Sequence, residues 1–133
     1  MKFLTRKLVT HEDLNPRGYL HGGQLLKWID EEGGIHAGLE LNTGLIVTKL
    51  ISEIDFKFPV ILGDVIEIGM QTLEIGKSSV TLACEVRSLH ADKTVLTIDK
   101  IVYVRVNKYG LPKGHGWMSK GDDVNEENTK NYK

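Results

Sequence analysis

Residues 64–89, DVIEIGMQTLEIGKSSVTLACEVRSL, decide the fold. Apolar and polar residues alternate through 64–75, the chain turns at Gly76-Lys77, and Val80, Leu82, Cys84 and Val86 then share one face. A period of two marks strands with one buried face, and a turn this short joins antiparallel neighbours. Downstream, His90-Ala91-Asp92-Lys93 makes the next turn, and residues 94–107, TVLTIDKIVYVRVN, form a long further strand. Upstream, residues 45–58 are rich in β-branched and aromatic side chains, with Ile54, Phe56 and Phe58 alternating against Asp55 and Lys57. Pro59 interrupts this run, and Gly63-Asp64 reads as a turn. A short strand over 2–9 brings the expected count to five. Between the first and second strands the period changes: Leu25, Leu26, Trp28 and Ile29 recur at helical spacing after Gly22-Gly23. The expected fold class is α+β, one long helix packed on the concave face of a curved five-stranded antiparallel sheet, in a single domain.

With 133 residues the chain suits one core, expected over 1–113, followed by a polar tail over 114–133 in which only Trp117 and Met118 are expected to dock. The 17 basic and 18 acidic residues nearly cancel, which argues against nucleic acid or an anionic membrane as the main partner. Lys2, Arg6 and Lys7 interrupt the first ten residues, so no signal-peptide core is expected there. No apolar run approaches the ~20 residues that span a bilayer. The lone Cys84 excludes an intrachain disulfide, and a soluble, cytoplasmic protein is expected. One helix cannot cover such a sheet, and its edges stay open. A symmetric dimer pairing sheets edge to edge is therefore the expected minimum unit.

Residues 15–30, NPRGYLHGGQLLKWID, place an amide, a histidine, two glycines and a carboxylate around the start of the helix. The first N–H groups of a helix lack intrahelical partners and sit at its positive end, and glycine lets another molecule's oxygen approach them. At 100° per residue Asp30 falls with Leu26, Gly33, Gly34 and Ala37, away from Lys27 and Glu31, which speaks against a solvated surface charge. Plainer readings stand beside these. Asn15 reads equally as a turn residue before Pro16, Gly22-Gly23 as a simple turn, and His21 as a helix cap. His11, His36, His90 and His115 show no metal-ligand spacing with one another or with Cys84, so no metal site is expected.

The ordered motifs resemble a known family. The run N-x-x-G-x-x-H-G-G-x-L-L-x-W-x-D (Asn15 to Asp30), then Val47-Thr48, then I-D-F-x-x-P-V-x-x-G-D (Ile54 to Asp64) and G-K-S-S-V (Gly76 to Val80), is similar to the hotdog-fold acyl-CoA thioesterases of the YciA and brain acyl-CoA hydrolase type, over roughly residues 8 to 112. The resemblance implies hydrolysis of fatty acyl-CoA to free acid and CoA, at active sites built between two subunits. It implies Asp30 as the catalytic carboxylate, acting as general base or nucleophile. It implies Asn15 as a helper across the dimer interface and the Gly23 backbone N–H as the group holding the thioester carbonyl. A trimer of dimers is the implied larger assembly, and no cofactor is implied beyond coenzyme A as part of the substrate. Gly33 and Gly34 then mark close helix packing or room for an acyl chain.

CoA carries three phosphate groups, so cations are expected near the mouth of the site. Lys57 and Lys77 are the candidates, with Ser78 and Ser79 as donors in the turn that Gly76 opens; the alternative is ordinary surface lysines and strand hydroxyls. His21, Gly22, Thr48 and Phe58 are further candidates for substrate contact. Two other functions compete. One is a non-catalytic acyl-CoA-binding hotdog protein. The other is a hotdog enoyl-CoA hydratase, suggested by Asp13-Leu14-Asn15-Pro16, whose histidine is missing because position 18 is Gly18.

Overall fold

The computed structural model describes residues 1–109. The predicted tail, with Trp117 and Met118, lies outside them. In chain order come β1 (Lys2–Leu8), a 3-10 turn (His11–Asp13), α1 (Gly22–Leu41), β2 (Ile46–Ile51), β3 (Ile54–Phe56), β4 (Val65–Ile75), β5 (Ser79–Ser88) and β6 (Lys93–Arg105). The sheet runs β1-β4-β5-β6-β2, with β3 also on β6, and every pairing is antiparallel. This layout is the one the hotdog resemblance implies.

The β4–β5 hairpin is the centre of the sheet, paired from Ile66 opposite Ser88 to Ile75 opposite Val80 with a one-residue register shift between Thr72 and Glu74. Its buried face carries Ile66, Ile68 and Met70 from β4 and Val80, Leu82, Cys84 and Val86 from β5, continued by Ile98, Ile101 and Tyr103 of β6. The helix turns Leu25, Ile29, Gly33, Ala37 and Leu41 inward, one residue per turn along a single stripe. Cys84 is a core thiol whose pKa is pushed up to about 12, chiefly by burial and then by Glu85 and Glu32.

Six strands replace the expected five, because the run 45–58 is cut at Ser52-Glu53. The register does not slip there: Ile51 faces Ile101 and Ile54 faces Ile98. Ser52 N–H donates to the Lys100 carbonyl, but the Lys100 N–H donates to Ser52 Oγ at 3.0 Å instead of to the strand backbone. A serine hydroxyl has taken over a ladder position.

The segment leading into α1 is fixed by Asp13. Its carboxylate accepts from Thr10 N (2.8 Å), Thr10 Oγ1 (3.0 Å) and Gln24 Nε2 (2.9 Å), and its carbonyl accepts from His21 N. The loop before the helix is thereby tied to the helix's own first turn.

Candidate active site

Asp30 lies in the third turn of α1 and is exposed in the single chain, which corrects the expectation from its helical face. It is nevertheless held. Thr48 Oγ1 donates to Asp30 Oδ1 at 2.7 Å, and the Tyr103 hydroxyl donates to the same oxygen at 3.1 Å and to the Asp30 carbonyl at 3.2 Å. Thr48 and Tyr103 face each other directly across β2 and β6, so one rung of the sheet supplies both donors. Burial, and secondly the Asp30 charge, push the Tyr103 pKa upward, which keeps the phenol a proton donor.

Gly33 makes this contact possible. A Cβ there would stand 2.1 Å from the Tyr103 hydroxyl oxygen and 2.8 Å from its ring carbon Cζ. Close packing thus explains Gly33, and no acyl channel is needed to account for it. Sequence reasoning missed Tyr103 because it falls in the alternating apolar row of β6 and reads as core. The available signal was a polar tip in that row opposite a helix containing two adjacent glycines.

The start of α1 forms a second cluster. His21 Nδ1 accepts from Gly23 N–H at 3.0 Å, so His21 is the helix N-cap and the Gly23 amide is engaged within the chain. The Gly22 N–H makes no hydrogen bond among the described residues. Asn15 Oδ1 accepts from Arg17 N (2.9 Å) and Tyr19 N (3.1 Å), shaping the loop as a turn residue does. Asn15 and Gly22 line a cleft of about 380 Å³ with Phe56, Lys57 and Phe58, floored by Leu25, Val60 and Val95. Lys57 Nζ is paired with Asp55 Oδ2 at 2.6 Å. Ile29, by contrast, is buried in the core and does not reach the cleft.

Gly76, Lys77 and Ser78 lie elsewhere, in the β4–β5 turn, and Ser79 opens β5. Gly76 N–H donates to Ser79 O, and Arg105 N–H to Ser78 O, at the end of the sheet where Val80 pairs with Tyr103. The turn thus runs into the strand position paired with Tyr103, whereas Lys57 and Phe58 belong to the cleft. Within one chain no hydrogen bond links Asp30 to Asn15, and Asp30 stands about 10 Å along the helix from Gly23. One chain thus presents two separate clusters of candidate residues. Among the described residues no group of three His, Cys, Asp or Glu is placed to hold a metal ion, and no helix is long and apolar enough to cross a membrane.

Residues 17–95, more than half of the chain, match the family model of the thioesterase superfamily. The chain belongs to this superfamily. As a member it is 31% identical over 118 residues to an uncharacterized acyl-CoA thioester hydrolase of Buchnera aphidicola subsp. Baizongia pistaciae, covering 84% of this chain and 87% of that one. A hexameric thioesterase from Yersinia pestis superposes with a TM-score of 0.80 at 27% identity, over 88% of this chain and 97% of its own. An acyl-CoA hydrolase from Staphylococcus aureus, solved with butyryl coenzyme A, shares the fold at 23% identity and a TM-score of 0.74, over 96% of this chain and 79% of that one.

Proposed function

We propose that this thioesterase-superfamily protein hydrolyses fatty acyl-CoA to free fatty acid and CoA. The observation that carries the reading is a carboxylate, Asp30, presented from a helix by two hydroxyl donors in a chain of this family. Hydrolysis builds negative charge on the thioester oxygen, and a preorganised backbone N–H at a helix start stabilises it; losing one such donor costs about 3 kcal/mol. The leaving group is a thiolate whose conjugate acid has a pKa of about 8.5, so it departs with little help from an acid. One carboxylate that takes a proton from water, or attacks directly, is then sufficient. No cofactor is required beyond the coenzyme A of the substrate.

The two clusters meet across a dimer in this reading, Asn15 and the helix-start amides of one subunit with Asp30 of the other. Of those amides the Gly22 N–H is open to the cleft, and Gly23, the amide expected from the resemblance, joins it once the His21 imidazole turns away. The apolar cleft beside Phe56 and Phe58 receives the acyl chain or pantetheine arm. Lys77, Ser78 and Ser79 serve the phosphates, and Lys57 does so after exchanging Asp55 for phosphate. The open edge of β2 supports the dimer, the hexameric Yersinia pestis relative supports a hexamer as the larger assembly, and a trimer of dimers would combine the two. The buried free thiol of Cys84 fits a reducing, cytoplasmic setting.

The test is thiol release from a panel of acyl-CoAs from acetyl to stearoyl, with wild type and Asp30→Asn side by side. Wild type turns over, and the variant loses about 10²- to 10⁴-fold while still binding CoA. A folded wild type that binds CoA yet releases no thiol from any substrate would leave the acyl-CoA-binding protein as the better account.

A further inference from the structure

We propose that Tyr103 is a positioning residue for Asp30, holding Oδ1 together with Thr48 so that Oδ2 is the oxygen that reacts. The inference rests on the reading of Asp30 as the catalytic carboxylate and adds which of its atoms works and what aims it. A carboxylate free to rotate offers either oxygen to its surroundings. Here both donors, Thr48 Oγ1 at 2.7 Å and the Tyr103 hydroxyl at 3.1 Å, converge on Oδ1, and no donor among the described residues reaches Oδ2. Two hydrogen bonds on one oxygen fix the plane of the group and leave both lone pairs of the other unclaimed.

The support is rigid. Tyr103 is 1% exposed, paired in the sheet with Val80 on one side and Thr48 on the other. Its hydroxyl also donates to the Asp30 carbonyl at 3.2 Å, so the phenol is tied to the same turn of helix that carries the carboxylate. The ring tip occupies the space a Cβ of residue 33 would fill, and the glycine there lets the helix sit low enough for the contact. In either route the electron pair comes from Oδ2. As a base, Oδ2 takes a proton from water while the water oxygen bonds to the thioester carbon and the carbonyl π pair moves onto its oxygen. That pair then returns, the C–S bond breaks, CoA leaves as the thiolate, and Oδ2 gives up its proton. As a nucleophile, Oδ2 bonds to that carbon, the C–S bond breaks to release the CoA thiolate, and water then cleaves the resulting anhydride.

Tyr103→Phe tests this with ring volume kept. The expected result is a fall in kcat of about 10- to 100-fold, the range of one hydrogen bond to a charged group, with KM within about twofold of wild type. A merely structural tyrosine would lower stability and leave the kcat of the folded enzyme unchanged. Wild-type kcat in folded Tyr103→Phe overturns the proposal. If Tyr103→Phe does not fold, Gly33→Ala displaces the same hydroxyl with the tyrosine retained, and wild-type kcat there overturns it equally. Asp30→Asn, run alongside, separates the two claims: turnover surviving in that variant defeats the catalytic reading of Asp30, whereas its loss together with a wild-type Tyr103→Phe defeats the positioning role alone.

Discussion

Asp13 is a buried carboxylate whose work is structural. The Thr10 backbone N–H, and then the Gln24 and Thr10 side chains, favour its ionised form against the cost of burial, and its pKa lies below the ordinary aspartate value. A group depressed in the folded state adds stability above its unfolded pKa of about 3.9 and loses it as pH falls through the folded value. Asp13→Asn should therefore lower the urea midpoint at about pH 7, and the gap to wild type should narrow as pH falls below about 4. In the sequence Asp13 stood out only as part of the hydratase-like Asp13-Leu14-Asn15-Pro16 run, and the structure gives it the different task of anchoring the segment that carries Asn15.

At the scale of the element, the adjacent glycines of α1 divide in role. In an ordinary helix interior, alanine for glycine gains about 1 kcal/mol. Gly34 has room, since its nearest neighbour to a new Cβ is Ile46 Cδ1 at 3.9 Å, so Gly34→Ala should raise stability by up to that amount. Gly33→Ala should lower it, because the clash with Tyr103 costs about 1–3 kcal/mol as overpacking does elsewhere. Chemical denaturation of the two variants should give opposite signs. Sequence alone assigned both glycines one explanation, since helical spacing shows which residues share a face but not what stands opposite.

At the scale of the molecule, a single helix leaves apolar surface and an open edge. Val47, Leu50 and Ile51 on β2 are exposed, as are Ile35 and Leu39 on α1, the last at 80%. Placing lysine at both Val47 and Leu50 charges that edge without touching Asp30, Thr48 or the cleft. If the proposed dimer forms through this edge, sedimentation should show dissociation, and thiol release should fall with it as the Asp30 cluster loses the partner's Asn15–Gly22 cluster. Retained turnover in a monomeric variant would locate the complete site within one chain.

Alternation along 64–89 and 94–107, helical spacing after Gly23 and short turns between them were sufficient for the two-layer antiparallel fold, because period and turn length are local properties of the chain. The break at Ser52 was not readable, since it depends on a hydroxyl meeting Lys100 N–H across the sheet. The motif marked Asp30, Asn15 and the glycine pair as residue types suited to thioester chemistry. Only the tertiary structure put Tyr103 beneath Gly33 and placed Thr48 and Tyr103 on one oxygen of Asp30. Those are contacts between residues up to 73 positions apart, fixed by strand register and helix height. Neither quantity is written in any local stretch of sequence.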